Sequence, residues 1–203
     1  MGHRILCFGD SNTYGYDPRS YLGGRYPESV RWTGRLKAEG WEIFNEGENG
    51  RSIPRLDWEI AAVWQTLLRT NAEALVMMLG SNDLLQRPGI TAEICARRME
   101  VCLTAVRENT PAALKLLLAA PPPMELGAWI QGTRLIEESR RLADCYEELA
   151  QLLDIGFANT RDWGIGLTYD GVHFSEEGHK TFAKRMSEAL LALFQKDDDV
   201  GFI

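Results

Sequence analysis

Five short apolar runs punctuate this chain, and the segments between them repeat with the period of a helix. The runs span residues 5–8, 41–44, 74–79, 114–119 and 155–158, each of strand length. Between them, Met99, Cys102, Leu103 and Val106, with Cys95 before them, lie on one stripe at spacings of three and four. Leu135, Leu142, Tyr146, Leu149 and Leu153 form a second stripe, and Phe182, Met186, Ala189, Leu190 and Leu193 a third. The last helix has a start signal in Ser175, followed by the first-turn acids Glu176 and Glu177. Strands that alternate with helices bury their apolar faces as a parallel sheet with helices on both sides.

Right-handed crossovers then favour a flavodoxin-like three-layer α/β/α sandwich with a five-stranded parallel sheet. The 203 residues fit one domain, expected over 1–195, with an acidic tail at 196–203. With 22 Lys and Arg against 29 Asp and Glu, the net charge is −7. Nucleic acid is therefore not an expected partner, since phosphate contacts need clustered basic residues. The densest basic group, Arg134 with Arg140 and Arg141, is interleaved with Glu137 and Glu138 and reads as a solvated helix face. Cys7, Cys95, Cys102 and Cys145 show neither a C-x-x-C pair nor metal-ligand spacing, so core packing in a reducing compartment is expected. The N-terminus has no signal-type pattern, and no run approaches the roughly 20 apolar residues of a membrane helix. A cytoplasmic, membrane-independent protein is the resulting expectation.

Pro- and Gly-rich pieces follow the strands: 16–31, 47–55, 80–90, 121–132 and 159–174. They gather at one edge of the sheet, where ligands of open α/β folds bind. Gly9-Asp10-Ser11 ends the first strand there, which offers Ser11 as a nucleophile. A base is needed, and there are three histidines to choose from. His3 precedes the first strand, at the wrong end. His179 belongs to the first turns of the last helix and reads as a surface or partly packed residue. His173 lies in Y-D-G-V-H-F, three residues after Asp170. One turn of chain can fold that carboxylate onto Nδ1 and leave Nε2 to take the Ser11 proton. Acyl transfer also needs oxyanion donors. The backbone N–H groups of Ser11 and Gly50 and the side chain of Asn82 are available at the right loop ends. Asp10 and Asp83 read as acids that bind loop backbone.

These blocks, Gly9-Asp10-Ser11, Gly50, Gly80-Ser81-Asn82-Asp83 and Asp170-Gly171-Val172-His173, resemble in order those of the SGNH hydrolases, also called the GDSL esterase/lipase family. The resemblance implies Ser11 as nucleophile, His173 as base, Asp170 as its partner and an oxyanion hole from Ser11, Gly50 and Asn82. It implies no metal and no organic cofactor. R-I-L-C-F-G-D-S-N-T-Y-G, V-R-W-T-G-R-L at 30–36, M-L-G-S-N-D-L and A-A-P-P-P are similar to the bacterial arylesterase/acyltransferase branch, whose members act on small esters. Position 12 departs from the name motif, with Asn in place of Leu.

The expected substrate is therefore a small, short-acyl ester, with acyl transfer to alcohols as an extension. Asn12, Leu84, Trp129 and Val172 are expected to line its site, helped by Tyr14, Tyr16, Trp32, Leu85, residues 121–124 and Trp163. Arg51 reads as an exposed loop residue. A thioesterase or lysophospholipase with the same triad is the alternative enzyme; a non-catalytic flavodoxin-like binding domain is the alternative outside enzymes. A nucleotide binder is disfavoured, because neither G-x-G-x-x-G nor G-x-x-x-x-G-K-[ST] occurs. The sequence is compatible with a homo-oligomer.

Overall fold

Side-chain alternation along the strands decides how the layers form. In the computed structural model, which describes residues 2–20 and 24–195, β1 (Arg4–Gly9), β2 (Glu42–Gly47), β3 (Ala74–Met78), β4 (Lys115–Ala119) and β5 (Gly156–Ala158) form one sheet in the order β2-β1-β3-β4-β5. Every pairing is parallel. The acidic tail expected at 196–203 lies outside the described residues.

Leu6, Phe8, Leu75, Met77, Leu116 and Leu118 face one side of the sheet, where α3 (Asp57–Thr70), α5 (Ala92–Glu108) and α6 (Thr133–Leu153) cover them. Ile5, Cys7, Ile43, Val76, Met78 and Leu117 face the other, under α2 (Trp32–Ala38) and α7 (Glu176–Gln195). Both faces of the central strands are thus dry, which is why β3 reads Ala-Leu-Val-Met-Met without a polar position. Each fully buried Leu, Phe or Met contributes about 1.5–3 kcal/mol relative to exposure. The stripe of Cys95, Met99, Cys102, Leu103 and Val106 is buried on α5, and Ser175 Oγ accepts the Gly178 N–H at the start of α7 at 3.0 Å. Both match their sequence patterns.

Every strand differs from its expected run by one residue at one end or both, and the end of β2 by three. β2 runs on through Asn45, Glu46 and Gly47, because β1 pairs with it from Arg4↔Glu42 to Gly9↔Gly47 and an edge strand tolerates polar residues. β5 begins later, since the Ile155 N–H closes the end of α6 on the Ala150 carbonyl. The order in which the chain lays down its strands reverses between β1 and β3, and ligands of such sheets bind outside the carboxyl ends at that point. The segments after β1, β2 and β3 all start there. Among the described residues, no helix is long and apolar enough to cross a membrane.

Candidate active site

The first part of the site is the corner after β1. Asp10 caps the short helix α1 (Ser11–Tyr14), its Oδ1 accepting the Asn12 N–H at 2.9 Å. That cap puts Ser11 at the first helical position, where a backbone N–H has no intrahelical acceptor.

The second part is the turn before α7. Gly171 sits at φ +80°, and a Cβ there would collide with the Glu125 carbonyl, so D-G-V-H needs its glycine. The turn lets Asp170 serve its own loop: Oδ1 accepts the N–H groups of Val172 and His173 at 2.9 and 3.0 Å and the Thr168 hydroxyl at 2.9 Å. Oδ2 accepts from His173 Nδ1 at 2.7 Å. An ionised carboxylate only accepts, so Nδ1 carries the proton and Nε2 is an acceptor. Ser11 Oγ lies 3.0 Å from Nε2 and donates to it. All three side chains are buried. Burial alone would raise the Asp170 carboxyl, but the hydrogen bonds from the His173 ring and backbone and from Val172 outweigh it and hold it down at about 2. Thr168 is not legible in the sequence as part of the site; nothing in its spacing marks it.

The third part joins two further loops. Gly50 adopts φ +75°, a left-handed conformation that suits glycine, and its carbonyl accepts from Gln86 Nε2 at 2.9 Å. Asn82 lies on α4 (Ser81–Gln86), and its Nδ2 donates to the Arg51 carbonyl at 3.1 Å and toward Asp10 Oδ2 at 3.5 Å. Asn82 thus sits between the residue beside Gly50 and the residue beside Ser11. Asp83, next along α4, accepts the Ile53 N–H at 2.9 Å and Arg98 Nη1 at 2.7 Å, fastening the same loop from below.

Other residues land differently from their reading in the sequence. Arg51 is largely buried rather than exposed. Its guanidinium covers the Phe8 ring, donates to the carbonyls of Gly9 and Glu46, and pairs with Glu48 at 2.8 Å. It therefore pins the β2 loop to the end of β1, and its charge is engaged there. His179 is fully buried, not at a surface: Nδ1 accepts the Trp32 N–H at 3.4 Å, and Tyr26 and Phe174 meet its ring edge-on. Burial, aided by Arg35 and Arg31, drives it down to about 3, which keeps it neutral. Leu84 and Trp32 are core residues with almost no surface left for a substrate, and Trp163 packs against Phe182. Val172 is nearly buried. Trp129 and Tyr16 do reach the imidazole, with ring centroids 5.0 and 4.8 Å from that of His173. Trp129 is 53% exposed, so its ring offers open surface beside His173.

Asp10 carries an electrostatic cost. Burial raises its carboxyl from the ordinary 3.8 to about 6, although the Asn12 N–H, His173 and Arg51 all favour the charged form. A raised acid costs nothing below its unfolded value and its full penalty above its folded one. Asp10→Asn keeps a cap acceptor and removes the charge. Its stability relative to wild type should therefore grow by roughly 2.4 kcal/mol between pH 4 and pH 7, read from urea melts at the two values. A difference that does not change with pH would show that Asp10 ionises freely in the folded protein.

Residues 7–181 match the model of the GDSL-like Lipase/Acylhydrolase family, and the chain belongs to it. The fold and the hydrogen-bonded Ser11, His173 and Asp170 agree with the class that the family match gives, a serine hydrolase. Among solved structures, a candidate arylesterase from Agrobacterium tumefaciens str. C58 is 29% identical over 94% of this chain and 99% of its own, with a TM-score of 0.82. The aryl esterase of M. smegmatis is 27% identical over 95% and 100%, with a TM-score of 0.78. Est24, a carbohydrate acetylesterase from Sinorhizobium meliloti, is 27% identical over 94% and 99%, with a TM-score of 0.76. No curated protein matches the chain at a significant level.

Proposed function

We propose that this serine hydrolase cleaves small, short-acyl esters through a Ser11–His173–Asp170 triad and an acyl-enzyme. The observation that carries the reading is the pair of hydrogen bonds on His173, 3.0 Å to Ser11 and 2.7 Å to Asp170. His173 Nε2 takes the Ser11 proton as Oγ adds to the ester carbonyl. The tetrahedral oxyanion is held by the Ser11 and Gly50 N–H groups and by Asn82 Nδ2, which gives up its long contact with Asp10 Oδ2 to donate to it while keeping its bond to the Arg51 carbonyl. The leaving alcohol departs with the proton from Nε2, leaving acyl–Ser11. Water, or a second alcohol, then adds under base catalysis by His173 and releases the acid or a new ester.

The walls support a small acyl group. Tyr16 and Trp129 both pack edge-on against the imidazole and narrow the space beside it, while the exposed Trp129 ring gives a flat aromatic or sugar alcohol something to stack on. Structural neighbours named as aryl esterase and carbohydrate acetylesterase are consistent with both halves of that ester. Asn12 and Leu84 are too buried to take part as walls.

A panel of p-nitrophenyl esters from acetyl to octanoyl, with acetyl-thioesters and a competing alcohol, tests the reading. kcat/KM should fall by at least tenfold from acetyl to octanoyl, and ethanol should divert part of the acyl group to ethyl acetate. A rising profile with chain length, or a preference for the thioester, would reject the short-acyl ester assignment.

A further inference from the structure

Asn12 follows the nucleophile directly, yet its side chain is not turned toward a substrate. Its Nδ2 donates to the Val172 carbonyl at 3.1 Å, and its Oδ1 accepts the Phe174 N–H at 2.9 Å. One planar amide thus grips the two peptide groups that flank His173. The residue is 5% exposed, so neither bond competes with much water. Its own backbone is equally held: the N–H on Asp10 Oδ1 at 2.9 Å, and the carbonyl on the Trp32 indole N–H at 3.0 Å. Trp32 is itself fully buried, with its N–H on His179. The Ser11 turn and the His173 loop come from opposite ends of the chain, and their hydrogen bond forms only if the two backbones keep a fixed spacing.

We propose that Asn12 is a positioning residue: its amide sets the distance between α1 and the His173 loop so that Nε2 meets Ser11 Oγ. The assignment rests on the reading of Ser11 and His173 as nucleophile and base. An apolar residue at position 12 fills the space but strands a buried N–H and a buried carbonyl, and the loop must move to rehydrate them. A shift near 1 Å between reacting groups costs on the order of 10² in rate.

Steady-state kinetics on p-nitrophenyl acetate separate the possibilities, with Asn12→Ala, Asn12→Asp and Ser11→Ala measured together with their melting temperatures. Asn12→Ala should lower kcat by about 10- to 100-fold with KM within twofold. Asn12→Asp is the rescue variant. Its protonated carboxyl can accept from Phe174 and donate to Val172 as the amide does, whereas the carboxylate repels the Val172 carbonyl. The ratio of its kcat to that of wild type should therefore rise as pH falls from 8 to 6. The titratable groups facing position 12 are Asp10 on the cap, His173 between the tethered peptides, Asp170 beyond it and His179 behind Trp32. Wild type and variant share all four; the added carboxylate itself favours an imidazolium at His173, which would lower the ratio at acid pH, so a rising ratio reports protonation of residue 12. A flat ratio, a wild-type kcat in Asn12→Ala, or a loss confined to KM would overturn the assignment. If Asn12→Ala does not fold, the pH ratio of Asn12→Asp decides alone. A fully active Ser11→Ala would instead overturn the nucleophile reading beneath it.

Discussion

Ser11→Ala is expected to lower hydrolysis of p-nitrophenyl acetate by about 10⁴-fold or more, and to leave the fold standing. In the proposed mechanism Ser11 is the nucleophile, so its removal would abolish the covalent route and leave only the contribution of substrate binding and the oxyanion donors to direct attack by water. The structural cost is small. The Ser11 hydroxyl donates to His173, whose ring stays anchored on Asp170, and the variant strands one imidazole nitrogen, a cost of about 1–3 kcal/mol that water entering the vacated space would reduce. The urea midpoint should therefore move little while activity vanishes, and that separation is the test. A fluorophosphonate gives the second readout. It should form a stable adduct on Ser11 of the wild type, none on the alanine variant, and one only slowly in His173→Ala. Retention of a tenth of wild-type activity in Ser11→Ala would remove Ser11 from the chemistry.

The sheet is legible in the sequence because its signal is periodic. Each of the five apolar runs overlaps a strand, and the three stripes of apolar residues lie on α5, α6 and α7. What escapes a sequence reading is short or irregular. α1 and α4 are only four and six residues long, and their placement depends on a carboxylate cap and on Gly80 at φ +126°, neither of which leaves a repeat in the sequence. At the site, the D-x-x-H spacing carries real geometric content, because a local turn closes that contact. The bonds of Asn12 to residues 172 and 174 span 160 positions or more, and no local pattern announces them. The same limit explains the misplaced walls. Leu84 follows β3 closely enough to suggest a pocket residue, but helical phase within α4 turns it inward to the core. Arg51 sits in a polar loop, which suggests exposure. Three carbonyl or carboxylate groups and the face of Phe8 instead compensate the burial of its side chain.

The second large effect is expected from Asp170→Asn, which exchanges one oxygen for an NH₂ and keeps the residue's shape. Oδ1 of Asp170 accepts two backbone N–H groups and the Thr168 hydroxyl, while Oδ2 faces His173 Nδ1. An amide has one oxygen to give. The two N–H groups cannot turn away, so the oxygen of the introduced amide must take the Oδ1 place and its NH₂ must face Nδ1. The imidazole then has to present a lone pair at Nδ1 and carry its proton on Nε2, where it points at Ser11 and cannot accept the Ser11 proton. The imidazolium formed during attack also loses its counter-charge. A fall in kcat of about 10⁴ follows, with KM nearly unchanged. The ¹⁵N shifts of His173 should report the exchanged tautomer directly. Stability gives an independent sign. Because the Asp170 carboxyl is held at about 2, below the ordinary 3.8, its stabilisation is complete above about pH 5 and is lost as pH falls through 2. The advantage of wild type over the asparagine variant should thus shrink by roughly 1.8 kcal/mol between pH 4 and pH 2. A variant that loses less than tenfold in kcat would show that Asp170 only braces the loop, and the base would then be working without an orienting acid.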